Sequence, residues 1–184
     1  MNEPPKRRAA FLDRDGTLIT DVHYLADPES LVMMPNADLA VRALNDAGWL
    51  AIVVTNQSGI ARGLVTEEQY QATAQRLREV FAARGARIDA MYHCPHHPDF
   101  TGPCECRKPG TLLFRRAAAD FGIDFRRSAY IGDRLRDVQQ AQTLGGVGIM
   151  VPVPSTPADE LERAKREFVV ADTLMEAVRA VLAG

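Results

Sequence analysis

Two aspartates flank an arginine in Phe11-Leu12-Asp13-Arg14-Asp15-Gly16-Thr17-Leu18, directly after a short apolar run. Carboxyl groups at that spacing can enter one crevice and take different parts in phosphoryl transfer. One attacks phosphorus as a nucleophile and becomes an acyl phosphate; the other gives its proton to the departing alcohol and later activates water. Asp13 suits the first part and Asp15 the second. Gly16 lets the backbone turn sharply away from them. The same four residues would also make an ordinary polar turn, so other segments of the chain decide between the readings. Thr55 and Asn56 close a second apolar run and offer a hydroxyl and nearby backbone amides to phosphate oxygens. Lys108 adds a cation that can neutralise charge gathering on the transferred group. Asp133 ends a further apolar run, and beside Asp13 it supplies oxygen ligands for a hard cation such as magnesium. A carboxylate approaching a phosphate is repelled, and a divalent ion together with a lysine offsets that repulsion. Asp137, one helical turn beyond Asp133, either supports the metal site from behind or is a surface acid in a helix's first turn.

All three cysteines fall within one short stretch. Cys94, His96, Cys104 and Cys106 supply four ligands able to close a tetrahedral zinc site, with His97 as an alternative to His96. Four protein ligands leave no open position, so the expected ion is structural. Cys106 is two residues from Lys108, and a pinned loop at 94–106 would also position that cation. An odd, tightly clustered set of cysteines does not read as a disulfide framework, which points to a reducing cytoplasm.

These residues need a scaffold that brings strand ends together. Short apolar runs at 9–12, 49–54, 90–93, 129–131, 147–151 and 168–170 read as strands. Between them, helices are expected from Asn36 to Gly48 with Leu39, Val41 and Leu44 on one side, and from a Thr66–Gln69 capping box to Gly85, facing solvent. Others are expected over 112–121, over 138–144, and over 173–182 with Asp172 as cap. The stretch 151–157 reads as a proline-rich surface connection. Alternation of this kind predicts an α/β fold, a three-layer Rossmann-like parallel sheet with helices on both faces and ligands beyond the carboxyl ends of the strands. Neither 18–49 nor 63–107 has room for a cap domain, so one domain over 1–184 with an open site is expected.

Composition narrows the partners. Apolar residues at 46% and charged ones at 25% fit an ordinary globular protein, and a net charge of −2 offers no general attraction for nucleic acid or anionic membrane. The start, Met1 to Ala10, has basic residues, but the apolar stretch that follows is interrupted at Asp13 and is far too short for a secretion signal or membrane span.

The four elements, in this order, resemble the haloacid dehalogenase superfamily of phosphotransferases. The resemblance implies Asp13 as nucleophile, Asp15 as general acid/base, and Thr55 and Lys108 on the phosphoryl group. Magnesium would bind Asp13, the Asp15 carbonyl and Asp133. Within that superfamily, Thr55-Asn56-Gln57-Ser58-Gly59-Ile60-Ala61-Arg62-Gly63 and the cysteine segment resemble the D-glycero-D-manno-heptose 1,7-bisphosphate 7-phosphatases. Histidinol-phosphate phosphatases are the next most similar branch. That likeness implies a small phosphorylated sugar as substrate, contacted by Asp21, His23, Tyr24, Thr55, Asn56, Gln57, Ser58, Arg107, Lys108 and Arg134. Arg107 is suited to a second phosphate, and a capless monomer is expected.

Overall fold

The computed structural model describes residues 6–184; Met1–Pro5, and with them part of the basic start, lie outside it. The chain runs β1 (Ala9–Leu12), α1 (Ala37–Asp46), β2 (Leu50–Asn56), α2 (Ser58–Ala61), α3 (Glu67–Ala83), β3 (Ala90–Cys94), α4 (Pro98–Thr101) and α5 (Leu112–Phe121). It continues with β4 (Ala129–Gly132), α6 (Leu135–Val138), α7 (Gln140–Leu144), β5 (Val147–Met150), α8 (Ala158–Glu167), β6 (Val169–Val170) and α9 (Leu174–Ala183). The six strands form one parallel sheet in the order β3-β2-β1-β4-β5-β6. After β3 the chain crosses to the other side of β1, so β1 and β4 meet where the strand order reverses. At such a point the loops leaving neighbouring strands diverge and open a crevice.

Residues alternate between the two faces of the sheet, and each face has its own helices. Ala10, Leu12, Ala51, Val53 and Ile131 pack with Val41 and Leu44 of α1, Leu77 and Phe81 of α3, and Val178 of α9. Ala9, Phe11, Ile52, Val54 and Tyr130 point the other way, onto Leu113, Phe114 and Ala117 of α5. Val138 of α6 and Ala164 of α8 extend that second layer over Met150. Continuous apolar runs, rather than alternating ones, are therefore what both-face burial demands. No helix among the described residues is long and apolar enough to cross a membrane.

The expected strands are all present, while several helix details differ. Asn36 precedes α1 in the left-handed region (φ 59°) and its side chain makes no capping bond; Leu39 is 49% exposed, and Ala37 and Ala40 are buried in its stead. The capping box at Thr66 and Gln69 is complete, yet α3 buries Tyr70, Leu77 and Phe81 along one side rather than facing solvent throughout. The segment after Asp133 becomes helical at Leu135, earlier than its apolar pattern indicates, and breaks into two short helices. Thr173, not Asp172, caps α9 by accepting from the Glu176 amide. Helix α8 has no counterpart in the sequence reading, because a segment so rich in charge presents few apolar positions.

The last residue of β4 shows how tightly the strand end is built. A Cβ on Gly132 would overlap the side chain of Asp137, which folds back against it. Gly132→Ala is expected to lower stability by about 1–3 kcal/mol, as overpacking does, and a shifted denaturation midpoint would show it.

Candidate active site

Asp13 leaves the end of β1, its amide donating to the Ile131 carbonyl at 2.9 Å. Asp133 leaves β4 beside it, and Asp137 follows on α6. The three are 7, 6 and 4% exposed, and each offers an oxygen within 4.8 Å of the others. Gly16 makes this closeness possible: its φ of 81° disfavours any side chain, and a Cβ there would sit 2.9 Å from the Asp133 carboxyl carbon.

Lys108 balances the cluster from below. Its Nζ donates to Asp13 Oδ1 at 2.6 Å and to the Val54 carbonyl at 2.6 Å, and it forms an ion pair with Asp137 Oδ1 at 2.8 Å. Burial works to deprotonate this lysine, but the charges of Asp13 and Asp137 prevail and hold its pKa above the ordinary value. Burial pushes Asp13 up to about 6, with Lys108 opposing and Asp137 and Asp15 adding to the rise. Asp133 is pushed up to about 8, by burial first and then by the neighbouring carboxylates.

Asp15 points elsewhere. Arg14, itself buried, donates to both Asp15 oxygens at 2.9–3.2 Å and to Gln57 Oε1 at 3.0 Å, with its guanidinium 5.6 Å from the Tyr70 ring centre. Gln57 Nε2 in turn donates to Asp15 Oδ2 and to Thr55 Oγ1. This Arg14–Asp15–Gln57–Thr55 network was not legible beforehand, because Arg14 reads as a spacer between two acids.

These groups line a cleft of about 350 Å³. Asp13, Asp15, Thr55 and Asp133 face it, as do Asp21, His23 and Tyr24 from the segment after β1. His23 and Tyr24 both hold positive φ, 52° and 64°, and the Tyr24 ring lies where a side chain on Gly59 would have to go. Asn56, Gln57, Ser58 and Arg134 also line it. Asn56 is otherwise engaged: its amide accepts from Lys108 N at 2.9 Å and donates to Lys108 O at 3.2 Å, fixing that residue's backbone. Arg134 is held by a two-pronged pair with Glu160 of α8, at 3.1 and 2.6 Å. Lys108 lies behind Asp13 rather than in the cleft wall. Arg107, expected at a second phosphate, does not line the cleft and donates to the His96 carbonyl at 3.2 Å. Arg136 and Ser155 do line it, unanticipated by motif.

The residues fit a hard cation. Both Asp137 oxygens are engaged, Oδ1 by Lys108 and Oδ2 by the Arg134 amide at 3.0 Å. Asp13 Oδ2 has no hydrogen-bond donor among the described residues, and no other side chain donates to Asp133. Two buried acids with free oxygens are the chemistry a divalent ion satisfies. Asp137 belongs behind them, with Lys108.

Beyond the cleft, Cys94 at the end of β3 gathers His96, Cys104 and Cys106. The sulfurs lie 3.0, 3.4 and 3.6 Å apart, and His96 Nδ1 is 3.2 Å from Cys106 Sγ and 3.9 Å from Cys94 Sγ. Ligands about 2.3 Å from a zinc ion at tetrahedral angles are separated by about 3.8 Å, close to this spacing. His97 is excluded from the cluster; its Nδ1 instead accepts from the Asp99 amide at the start of α4.

Asp133 gives a signed expectation. Because its folded pKa is raised, its contribution to stability is complete below the unfolded value near 3.8 and is lost as pH rises through about 8. With chelator present, Asp133→Asn is therefore expected to melt higher than the wild type at pH 8.5, by about 2 °C or more. That gap should narrow as pH falls toward 5, and thermal melts at both pH values check it.

Comparison with known proteins agrees with this geometry. Residues 105–177 match the HAD-hydrolase-like family model. A D-glycero-beta-D-manno-heptose-1,7-bisphosphate 7-phosphatase from Haemophilus ducreyi is 36% identical over 177 residues, covering 94% of this chain and 97% of that protein. One from Rhodopseudomonas palustris is 40% identical over 146 residues, 77% and 81% of the two chains. The crystal structure of D,D-heptose 1,7-bisphosphate phosphatase from B. bronchiseptica, complexed with magnesium and phosphate, superposes with a TM-score of 0.84. It is 28% identical, over 96% of this chain and 98% of that one. With likeness along nearly its whole length and acids converging where the strand order reverses, the chain belongs to the heptose-1,7-bisphosphate 7-phosphatase family of HAD-like hydrolases.

Proposed function

We propose that this protein removes the C7 phosphate of D-glycero-D-manno-heptose 1,7-bisphosphate by way of a phosphorylated Asp13. The observation that carries the reading is the pairing of a buried, Lys108-bound Asp13 with a second acid, Asp15, on one cleft. Lys108 holds the Asp13 carboxylate through Oδ1 and so orients it for attack on phosphorus. As the Asp13–phosphorus bond forms, the bond from phosphorus to the sugar oxygen breaks, and Asp15 delivers its proton to that oxygen. Asp15 then takes a proton from water, whose oxygen displaces Asp13 and releases inorganic phosphate. Thr55 and Lys108 meet the charge on the phosphoryl oxygens. Gln57 and Arg14 keep Asp15 oriented between the two steps.

Asp13, Asp133 and the Asp15 carbonyl would hold magnesium, which supplies positive charge that lets the two anions approach. Zinc at Cys94, His96, Cys104 and Cys106 would be structural and would brace the approach to Lys108. A reduced thiol cluster of this kind suits a cytoplasmic protein. The whole chain is read as one capless domain acting as a monomer on a small sugar ester, with the loop at 21–24 and residues 56–58 contacting it.

With magnesium present, the wild type is expected to prefer the heptose bisphosphate over histidinol phosphate in kcat/KM; the reverse preference in a kinetic panel would overturn the substrate. Asp13→Asn is expected to lose a factor of about 10³ or more in kcat, measured by phosphate release. Stripping zinc with a strong chelator, followed by magnesium replenishment, is expected to lower both activity and melting temperature. Full activity in a preparation shown to lack zinc would sink the bracing role.

A further inference from the structure

A second cavity, of about 620 Å³, opens at the end of the sheet opposite the acids, where the chain enters four neighbouring strands. Arg8 precedes β1, Trp49 precedes β2, Ser128 precedes β4 and Val147 begins β5, and all four line it. We propose that this cavity binds a nucleotide, its phosphates on Arg8, Arg126 and Arg127 and its base against the apolar part of the lining. The site is separate from the cleft and does not depend on which sugar is hydrolysed there.

The cations gather without a counter-charge. No aspartate or glutamate lines the cavity. Arg126 and Arg127 end the short turn leading to β4; both are exposed, and neither guanidinium has a hydrogen bond or ion pair with another described residue. Arg84 and Arg87, by contrast, meet Asp38 and Asp89. Arg8 is held over the indole of Trp49, its guanidinium carbon 5.1 Å from the ring centre, with one nitrogen donating to the Ala47 carbonyl at 3.3 Å. Three like charges around one hollow repel one another and concentrate a positive potential, which a multiply charged anion offsets. The planar fork of a guanidinium matches pairs of phosphate oxygens.

The remaining lining decides what the phosphates are attached to. Trp49, Val147, Ala180 and Val181 supply an apolar surface. Ser128 carries the one side-chain hydroxyl, and it is engaged on both sides, donating to the Asp124 carbonyl at 2.6 Å and accepting from the Ala9 amide at 3.1 Å. A sugar phosphate would find no free side-chain hydroxyl, amide or carboxylate for its own hydroxyls, and inorganic phosphate would leave the apolar surface unused. A flat base joined to a diphosphate meets both parts, in a volume ordinary for small-molecule sites.

Trp49 is the only tryptophan in the chain. It stands just before β2, about 20 Å from Asn56 at that strand's other end at roughly 3.3 Å per residue. Its fluorescence therefore reports on this cavity rather than on the cleft. The test titrates adenosine diphosphate, inorganic pyrophosphate and adenosine into the protein without magnesium. Adenosine diphosphate is expected to change the Trp49 emission saturably, with pyrophosphate and adenosine each weaker by about tenfold or more. Combining Arg126→Gln with Arg127→Gln should weaken the diphosphate by about tenfold or more, and either substitution alone by part of that. Arg116→Gln, on the exposed side of α5 and outside the cavity lining, should leave its affinity unchanged. The proposal is overturned by no saturable change, by equal affinity for pyrophosphate and the nucleotide, or by the same loss from Arg116→Gln as from the paired substitutions.

Discussion

Everything at the strand ends depends on burying one ammonium group among three oxygens. Without Lys108, Asp13 and Asp137 would be two carboxylates in a dry pocket, each raising the other's affinity for protons. Without those acids, the lysine would be a bare buried charge. Such an arrangement is costly to assemble and costlier to break, since removing one partner leaves the others uncompensated. It also settles which oxygens remain free. Lys108 engages one oxygen each of Asp13 and Asp137, the Arg134 amide engages the other Asp137 oxygen, and Asp13 Oδ2 and the Asp133 carboxylate are left without a side-chain donor among the described residues.

The sheet is arranged to satisfy this constraint. Asp13 and Asp133 leave adjacent strands at the place where the chain switches sides, and Lys108 arrives from the loop after β3. Each arrival is close enough to exclude side chains, which is why Gly16 faces Asp133 and Gly132 faces Asp137. Arg14, one residue from Asp13, stays out of the Lys108 cluster and holds Asp15 with Gln57. Adjacent residues thus serve two separate networks, one around Lys108 and one around Arg14.

Much of this was legible in the sequence, for a physical reason. A strand buried on both faces is an unbroken apolar run, so a polar residue at its end stands out, and Asp13, Thr55 and Asp133 are such residues. The cluster of Cys94, His96, Cys104 and Cys106 is legible because its members are close together in the chain. Other features depend on distant partners and leave no local mark. Arg14, Arg134 and Arg136 are indistinguishable as letters, yet one is bound to Asp15, one to Glu160, and one stands 4.0 Å from Asp137. Helix α8, which supplies Glu160, buries little and so shows little pattern. Arg107 turns to the His96 carbonyl, a direction that its proximity to Lys108 in the chain does not determine.

The reciprocal amide pairing between Asn56 and the backbone of Lys108 has a wider implication. With the thiol cluster gripping the chain at Cys106, it makes Lys108 a registered point whose position does not depend on the segment from 97 to 103. That segment is free to diverge in length and composition among relatives, or to be exchanged by an engineer, while the reactive centre stays in register. Change in that outer loop, none of whose residues lines the cleft, is therefore separable from the placement of Lys108 in this architecture.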